Sequence, residues 1–263
     1  MTLEPKRDSN AGTWSHRASG HRNVDIARSE DPDIGIPATC RICEARQGVV
    51  CGALAAAQLR ELSRHSTRRK VDAGREIVAQ GEEVTSYSNI MDGVVKLCKV
   101  MPDGRQQIVG LQFAPDFIGR PFVPESTLSA EAATPAEICV FPRSLLDRMI
   151  ADTPELRQNL HAQALKELDA AREWMLTLGR RTAQEKVASL LYLIATHAEP
   201  ETTSSTAFDL PLSRAEIADF LGLTIETVSR QMTKLRKQGV IRIENNRHIT
   251  VPDMDELERL VTA

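Results

Sequence analysis

Three of the five cysteines of this 263-residue chain lie within twelve residues, at Cys40, Cys43 and Cys51. The first two are separated by only two residues, so both sulfurs can bind one soft metal centre, and the third follows a short loop. A four-coordinate site needs one more ligand, and the two remaining cysteines, Cys98 and Cys139, are the candidates. The spacing therefore predicts a metal site that ties an N-terminal loop to a distant part of the fold.

The same three cysteines also fit a structural zinc knuckle or an oxidised cysteine pair. The chain has a net charge of -3, no apolar run of about 18 residues that could span a bilayer, and no apolar core of a secretory signal. We therefore expect a cytoplasmic protein without membrane association. Because thiols stay reduced in the cytoplasm, a metal site is favoured over a disulfide.

The C-terminal part of the chain has the spacing of a helix-turn-helix. Ser213 and Glu216 form a capping-box pattern, in which each side chain satisfies the other residue's free backbone N–H. A small residue at the helix crossing, a glycine at the turn and an apolar anchor then follow at the spacing of the motif, at Ala218, Gly222 and Val228. We expect Thr224 to cap the second helix and Gly239 to end it.

The exposed side of this predicted second helix carries side chains that can read DNA bases, since arginine can bind guanine and glutamate can accept a hydrogen bond from cytosine. These residues are Glu226, Thr227, Ser229, Arg230 and Lys234. A two-stranded wing follows, over residues 240–243 and 248–251. Basic residues suited to phosphate contacts follow the reading face: Arg236, Lys237, Arg242 and Arg247. A charged helix face is usually only solvated, but the spacing and the wing indicate DNA binding.

Residues 71–142 have short apolar segments separated by glycines, which predicts a compact antiparallel β-roll. Asp103-Gly104 predicts a hairpin with a type I′ turn, which needs positive φ at both central residues. Before the cysteines, residues 1–39 are polar and lack apolar periodicity. We interpret them as a flexible leader.

A long helix is predicted to begin after Thr153, which can cap it, with Pro154 in the first helical position. Apolar or small residues recur every three or four positions along one face, at Leu160, Ala164, Leu168, Ala171, Met175 and Leu178. This stripe could pack on the chain's own roll. We favour a homodimer interface, with Leu165 and Trp174, which lie off the stripe, making the contacts within the chain.

The order of roll, long helix and winged helix resembles the Crp/Fnr superfamily of bacterial transcription regulators. The run Leu221-Gly-Leu-Thr-Ile-Glu-Thr-Val-Ser-Arg230 is similar to the recognition motif of the Fnr branch. The resemblance implies an α+β fold, with an N-terminal antiparallel β-roll like cyclic-nucleotide-binding domains, a long dimerisation helix and a C-terminal winged helix-turn-helix. The expected boundaries are 1–39 for the leader, 40–142 for the cysteine loop and roll, 143–180 for the dimerisation region and 181–263 for the DNA-binding domain.

The resemblance also implies a cofactor. Members of the Fnr branch hold an oxygen-labile [4Fe-4S] cluster with three N-terminal cysteines and one at the end of the barrel. Ala136-Glu-Ile-Cys139-Val-Phe-Pro142 matches that last position, so the implied ligands are Cys40, Cys43, Cys51 and Cys139. Cys98 then remains as a small buried residue inside a strand.

Three kinds of partner are implied for a regulator of this branch. Glu226, Ser229 and Arg230 would read the halves of a TTGAT-type palindrome as a homodimer. RNA polymerase would contact the barrel hairpin and the loop around Pro115-Asp116. No cyclic nucleotide is expected, because residues 119–129 lack the Gly-Glu motif and the Arg-Ser pair of the nucleotide-binding relatives.

Two other classes of function stay open at this stage. One is a winged-helix regulator whose cysteines hold zinc or act as a thiol redox switch. The other is an enzyme, but the six histidines form no H-E-x-x-H motif and the chain has no Gly-rich phosphate loop with lysine. We therefore expect no enzymatic activity.

Overall fold

The structure is a computed structural model that describes residues 35–198 and 205–262. The predicted leader lies outside the described residues up to residue 34, and residues 199–204 also lie outside them. The last leader residues are already part of the core, since Ile36 is buried. Within the two described ranges, no helix combines the length and the apolar character that crossing a membrane requires.

The cysteine segment consists of short helical pieces rather than an open loop. They are α1 (Ala38–Arg41), a 3-10 turn (Glu44–Gln47), α2 (Val49–Gly52) and the longer α3 (Ala56–His65). Leu59 and Leu62 are buried on one face of α3. Helices of four residues are unstable alone, so tertiary packing must hold the first pieces in place.

The predicted antiparallel roll is confirmed as two four-stranded sheets, ordered β1-β8-β3-β6 and β2-β7-β4-β5. The strands are β1 (Thr67–Val71), β2 (Glu76–Val78), β3 (Ser86–Asp92), β4 (Val94–Val100), β5 (Gln106–Phe113), β6 (Phe117–Ile118), β7 (Ser129–Ala132) and β8 (Ala136–Pro142). The first strand begins at Thr67, before the predicted start at residue 71. Its charged run Arg68-Arg69-Lys70 lies on a sheet edge, where polar side chains are common, and this run hid the strand in the sequence.

The hairpin between β4 and β5 exists, but the predicted type I′ turn is wrong. Gly104 has a φ of 83° whereas Asp103 does not have a positive φ. The connection is longer than two residues, and it closes through hydrogen bonds from Gly104 N–H to the Met101 carbonyl and from Met101 N–H to the Arg105 carbonyl. The Asp103 carboxylate instead accepts the Arg105 N–H at 3.1 Å, an Asx-type turn that removes the need for a second positive φ.

The dimerisation region contains two helices, α4 (Arg143–Asp152) and α5 (Pro154–Arg180). Pro154 begins α5 as predicted, but the capping role predicted for Thr153 is wrong, because its side chain makes no capping hydrogen bond. Its hydroxyl instead accepts a hydrogen bond from Gln58 Nε2 at 2.6 Å. The contact ties α3 to the junction between α4 and α5.

The faces of α5 agree only in part with the predicted division. Five of the six stripe residues are exposed, namely Ala164, Leu168, Ala171, Met175 and Leu178, the last at 39%. Leu160, however, is partly buried against the core of its own chain. Trp174 does make a contact within the chain, an edge-to-face packing on Phe220 with ring centroids 4.7 Å apart, but Leu165 does not, because it is 49% exposed.

The C-terminal domain contains α6 (Ala183–Ala198), β9 (Thr206–Asp209), α7 (Arg214–Leu221), α8 (Ile225–Lys237), β10 (Arg242–Glu244), β11 (His248–Val251) and α9 (Met254–Thr262). The predicted caps are confirmed at Ser213 and Thr224, and Gly222 and Gly239 both have positive φ. The predicted wing is present, and it turns at Asn245-Asn246, which both have positive φ. The sequence did not indicate its third strand, β9, which pairs with β11.

The roll and the C-terminal domain meet at α7 through a buried lysine. Lys96 on β4 is 5% exposed, and its ammonium lies 2.8 Å from the Glu131 carboxylate and 2.5 Å from that of Glu216. Burial alone lowers the pKa of Lys96, but its hydrogen bonds to the two carboxylates outweigh burial and raise the pKa. A second contact with α7 comes from β5, where the Ile108 N–H donates a hydrogen bond to the Asp219 carboxylate at 3.2 Å. The charged contacts therefore fix the position of α7 on the roll.

Replacing Lys96 with methionine should lower the free energy of unfolding by about 2 kcal/mol. Losing one partner of a buried ion pair costs roughly 3–5 kcal/mol, and the cost is smaller here because both glutamates keep 30% of their side-chain exposure. Urea denaturation followed by circular dichroism measures the change. Lys99→Met, on the same strand but exposed, is the matched control. Equal destabilisation by the two variants would contradict the prediction.

Candidate metal centre and nucleic-acid interface

Each of the four predicted ligands is positioned by a different local element. Cys40 lies in α1, Cys43 precedes the 3-10 turn, Cys51 lies in α2 and Cys139 lies in β8. Local hydrogen bonds shape the first two, from Cys40 N–H to the Pro37 carbonyl at 2.8 Å and from Cys43 N–H to the Cys40 carbonyl at 3.4 Å. All four are free cysteines with intermediate exposure.

The fold brings these four cysteines together around one cavity of about 260 Å³. Its floor is the sheet that contains β1, β8 and β3, and its sides are the cysteine segment and α3. Besides the cysteines, the lining includes Arg46, Ser63, Ser66, Arg68, Asn89 and Met91. The structure therefore unites residues that lie almost ninety positions apart in the chain, although their role as ligands stays a prediction.

A row of cross-strand neighbours forms the floor. Arg68 on β1 lies opposite Cys139 on β8, and Cys139 lies opposite Asn89 on β3. Directly opposed residues of an antiparallel sheet place their side chains on the same face. The sheet register thus fixes a guanidinium, a thiol and an amide side by side beneath the cysteine segment.

Polar contacts hold Cys51 at both its side chain and its backbone. Asn89 Nδ2 lies 3.3 Å from Cys51 Sγ, and Arg46 Nη1 donates to the Cys51 carbonyl at 3.0 Å. Arg46 Nε is buried and has no hydrogen-bond partner within the described part of the chain. A guanidinium whose buried Nε–H has no partner favours a negatively charged occupant in the thiol-lined cavity beside it.

Burial makes the thiols of Cys51 and Cys139 hard to ionise without a cationic partner. It raises the pKa of Cys51 to about 12, and the neighbouring Cys139, Cys43 and Cys40 raise it further. Burial also raises the pKa of Cys139, partly offset by a hydrogen bond to Ser66. Such thiols become thiolates when a metal centre replaces their protons, so binding at this site would release protons.

A single metal ion and a larger cluster need different spacings of their cysteine ligands. One tetrahedral zinc with Zn–S bonds of about 2.3 Å requires its sulfurs to lie within about 4 Å of one another. In residues 35–198 and 205–262, no three His, Cys, Asp or Glu side chains are grouped tightly enough to hold one metal ion. A four-iron cluster takes one thiolate on each iron, so its ligands surround a body instead of converging on a point. The four cysteines that line the cavity are the residues that would hold such a cluster.

Cys98 lies away from this cavity, in a different part of the core. It is 2% exposed and packs in the cluster shared by the β4–β5 hairpin and the C-terminal domain. Burial raises its pKa to about 11. The structure thus agrees with its interpretation as a small buried residue.

Sequence reasoning missed the polar residues around the cysteines. The only sequence feature that could have indicated a role for Arg46 is its position between Cys43 and Cys51. Arg68 and Asn89 carry no such signal, because their approach to Cys139 depends on pairing between strands that are distant in sequence.

The second helix of the helix-turn-helix, α8, has one apolar and one polar face. Val228, Met232 and Leu235 are buried against the domain core. Of the predicted reading residues, Glu226, Ser229, Arg230 and Lys234 are exposed, and Thr227 is half-buried next to the cap at Thr224. Ser229, Arg230 and Lys234 also line one open groove together with Thr233, Lys237 and Gln238.

The basic residues assigned to phosphate contacts divide into two groups. Arg236, Lys237 and Arg242 are exposed. The guanidinium of Arg247 instead donates to the Leu210 carbonyl at 3.2 Å, so it also stabilises the wing. The surface beside the recognition helix is therefore basic in a chain whose net charge is -3, and an exposed basic helix face of this kind suits the DNA backbone.

Comparison with known proteins agrees with this architecture. Residues 185–260 match the family of Crp-like helix-turn-helix domains, and residues 68–153 match the family of cyclic nucleotide-binding domains. A "Probable transcriptional activator" of Rhizobium leguminosarum bv. viciae is 79% identical over 91% of this chain and 100% of its own length. The transcriptional activator protein FnrL of Cereibacter sphaeroides is 40% identical over 83% of this chain and 90% of its own length.

A solved structure gives the same result. FixK2 from Bradyrhizobium japonicum is 30% identical, with a TM-score of 0.67, over 75% of this chain and 98% of its own. The matches cover the roll, the long helix and the winged helix together. Their sequence identities of 30% or more indicate membership of one family and not only a shared fold. On this evidence, the chain belongs to the Crp/Fnr superfamily of transcription regulators.

Proposed function

We propose that this regulator senses oxygen through a [4Fe-4S] cluster, held by Cys40, Cys43, Cys51 and Cys139, that controls dimerisation and binding to DNA. The observation that carries the proposal is the convergence of these four cysteines on one cavity in a chain that also has a recognition helix. Bound there, the cluster supplies a centre that oxygen can degrade. The activator names of the relatives further support a role in activating transcription.

The size and charge of the cavity support a cluster in preference to a single zinc ion. The cysteines surround a space of about 260 Å³, and the described residues include no group suited to a single ion. A cluster with four thiolates has a net negative charge, which Arg46 and Arg68 in the cavity wall would compensate. A zinc knuckle needs neither the volume nor the two guanidiniums.

The cysteine segment is packed so that its state can affect the long helix. Val50, next to Cys51 in α2, is fully buried in the same core cluster as Leu156 in the first turn of α5. Leu160, one turn further along α5, packs against that cluster too. Losing the centre that holds the cysteines would loosen α2 and, with it, the support for the start of α5. A shift of a few kcal/mol is enough to change the dominant state.

The exposed apolar side chains of α5 support a homodimer. Leu168, Met175 and Leu178 are 45%, 73% and 39% exposed, and Leu165 and Leu176 near them are 49% and 50% exposed. An apolar strip of this length on one helix is costly in water and is covered when two such helices pair. The small residues Ala164 and Ala171 would let the two backbones approach closely.

Pairing of two chains would place two recognition helices about 34 Å apart, one turn of DNA, as a palindrome requires. Glu226, Ser229 and Arg230 would then read each half of a TTGAT-type site, and all three are exposed at the start of α8. Arg236, Lys237 and Arg242 would hold the phosphates. One chain is enough for the contacts within a half-site, whereas the spacing between the two half-sites depends on the dimer.

Cyclic nucleotide binding is not part of the proposal, although the roll matches that domain family. Behind the loop at residues 119–129, a side chain at Gly119 would collide with the rings of Tyr87 and Phe117. Tyr87 is 1% exposed and fills this interior. The space on this side of the loop is thus taken by aromatic rings.

The contact with RNA polymerase at the loop around Pro115-Asp116 stays a prediction, and the contacts of this loop within the chain bear on it. The Asp116 carboxylate accepts the Phe113 N–H at 3.0 Å, so it stabilises its own turn. Gly48 of the cysteine segment packs on the same loop, since an added Cβ there would lie 2.9 Å from the Pro115 carbonyl. A polymerase surface near this loop would therefore border the cysteine segment.

Anaerobic purification should yield about four irons and four sulfides per chain, with visible absorbance that disappears in air. Cys139→Ser should lose this content, because a strand ligand of the cavity is removed, and Cys98→Ser is the matched control that should keep it. Iron and sulfide analysis with visible spectra measures both. A colourless protein that contains zinc, or no metal, would leave the winged-helix regulator and refute oxygen sensing through a cluster.

Met175→Glu should convert the anaerobic dimer to a monomer. The side chain is 73% exposed in the single chain, so the change should not affect folding, whereas a charge buried in the paired helices would weaken dimerisation about 100-fold or more. Size-exclusion chromatography with light scattering gives the oligomeric state. Ala162→Glu, on the opposite side of α5, is the control. A dimer that tolerates Met175→Glu would rule out this face as the interface.

Arg230→Ala should cost about 1–3 kcal/mol of binding to the best site and relax the preference for guanine at one position of each half-site. Arg236→Ala should instead weaken binding to all sequences alike, because it removes a phosphate contact. Fluorescence anisotropy with single-base variants of the half-site distinguishes the two results. Unchanged specificity in Arg230→Ala would mean that another face of α8 reads the bases.

A further inference from the structure

A buried amide lies at the centre of the cavity floor. Asn89 is 2% exposed in the middle of β3, a position where apolar residues are usual and asparagine is disfavoured. A buried polar side chain is costly unless it is hydrogen-bonded. The recorded partner of its Nδ2 is the sulfur of Cys51, at 3.3 Å.

The strength of this hydrogen bond from Asn89 Nδ2 depends on the state of the Cys51 sulfur. A metal-bound thiolate carries no proton and can only accept, so the amide must present its Nδ2 hydrogens to the sulfur. An N–H donor stabilises the negative charge that the thiolate retains. The bond therefore becomes stronger when the cysteine is a ligand than when it is a neutral thiol.

The position of Asn89 is fixed by the sheet and not by a mobile loop. Its strand pairs with β8, where Cys139 lies directly opposite, so one rigid sheet carries both a predicted ligand and a donor to another. Met91, two residues along β3, lines the same cavity. Groups held on strands orient their partners more accurately than groups on loops.

We propose that Asn89 is a positioning residue of the cysteine site, which holds Cys51 Sγ towards the cavity and stabilises its bound thiolate through the N–H···S hydrogen bond. The inference rests on the proposed function, because it concerns the cluster at the same site. It adds a determinant of cluster retention and reduction potential that is not itself a ligand. Hydrogen bonds to the sulfurs are among the factors that set the potentials of iron–sulfur centres.

Asn89→Leu and Asn89→Val remove the donor and keep an apolar side chain suited to a buried strand. The anaerobic proteins should lose iron to a chelator about tenfold faster than the wild type, the usual effect of removing a residue that orients a metal ligand. The midpoint potential of the cluster should shift to lower values, because the donor stabilises the more negatively charged reduced state. Ser88→Ala, also buried in β3 but one residue away on the other face, is the control.

The potential separates this role from a purely structural one, since looser packing alone would not lower it. The inference would be overturned if both Asn89 variants lost iron at the rate of the wild type and kept its midpoint potential. It would also be overturned if Ser88→Ala lost iron as fast as the Asn89 variants. Asn89 variants that fold but purify without iron would support the inference, because they would have lost cluster retention completely. If one variant does not fold, the other decides. A wild type without iron and sulfide would refute the proposed function itself, before any Asn89 variant is made.

Discussion

The packing of the cysteine segment between the roll and the start of α5 constrains the rest of the structure. Val50 and Leu156 are both fully buried in one cluster, and Leu59 and Phe141 are each 1% exposed in it. Each such side chain contributes about 1.5–3 kcal/mol when buried, far more than helices of four residues provide by themselves. The geometry of the cysteines and the position of α5 are therefore set together.

The long helix connects this cluster to the DNA-binding domain. Its first turn buries Leu156 beside the cysteine segment, and near its end Trp174 packs on Phe220 of α7. Glu216 of α7 has two roles, since it caps its own helix through Ser213 and pairs with Lys96 on the roll. A rearrangement of α5 would thus reach α7 through the packing of Trp174 on Phe220, while the Lys96–Glu216 ion pair holds α7 on the roll.

The chemistry of the cavity follows from combining burial with selected polar groups. Thiols with raised pKa values resist ionisation, whereas Arg46 and Arg68 favour a negatively charged occupant. A metal centre with thiolate ligands satisfies both conditions, because the metal displaces the protons and the completed site keeps a negative charge. Asn89 adds a donor to one sulfur. The same groups would have no such effect on an exposed loop, where water would screen them.

The sequence by itself determined the features that depend on short spacing: the C-x2-C pair, the caps of α7 and α8, the turn at Gly222 and the exposed reading face. Such features are local, so neighbouring residues encode them. Only the tertiary structure decided that Leu160 faces the chain while Leu165 does not, and that Asn89 and Arg68 flank Cys139. Strand β9 and the register of the roll were hidden for the same physical reason, because pairing between distant strands leaves no periodic signal in either strand alone.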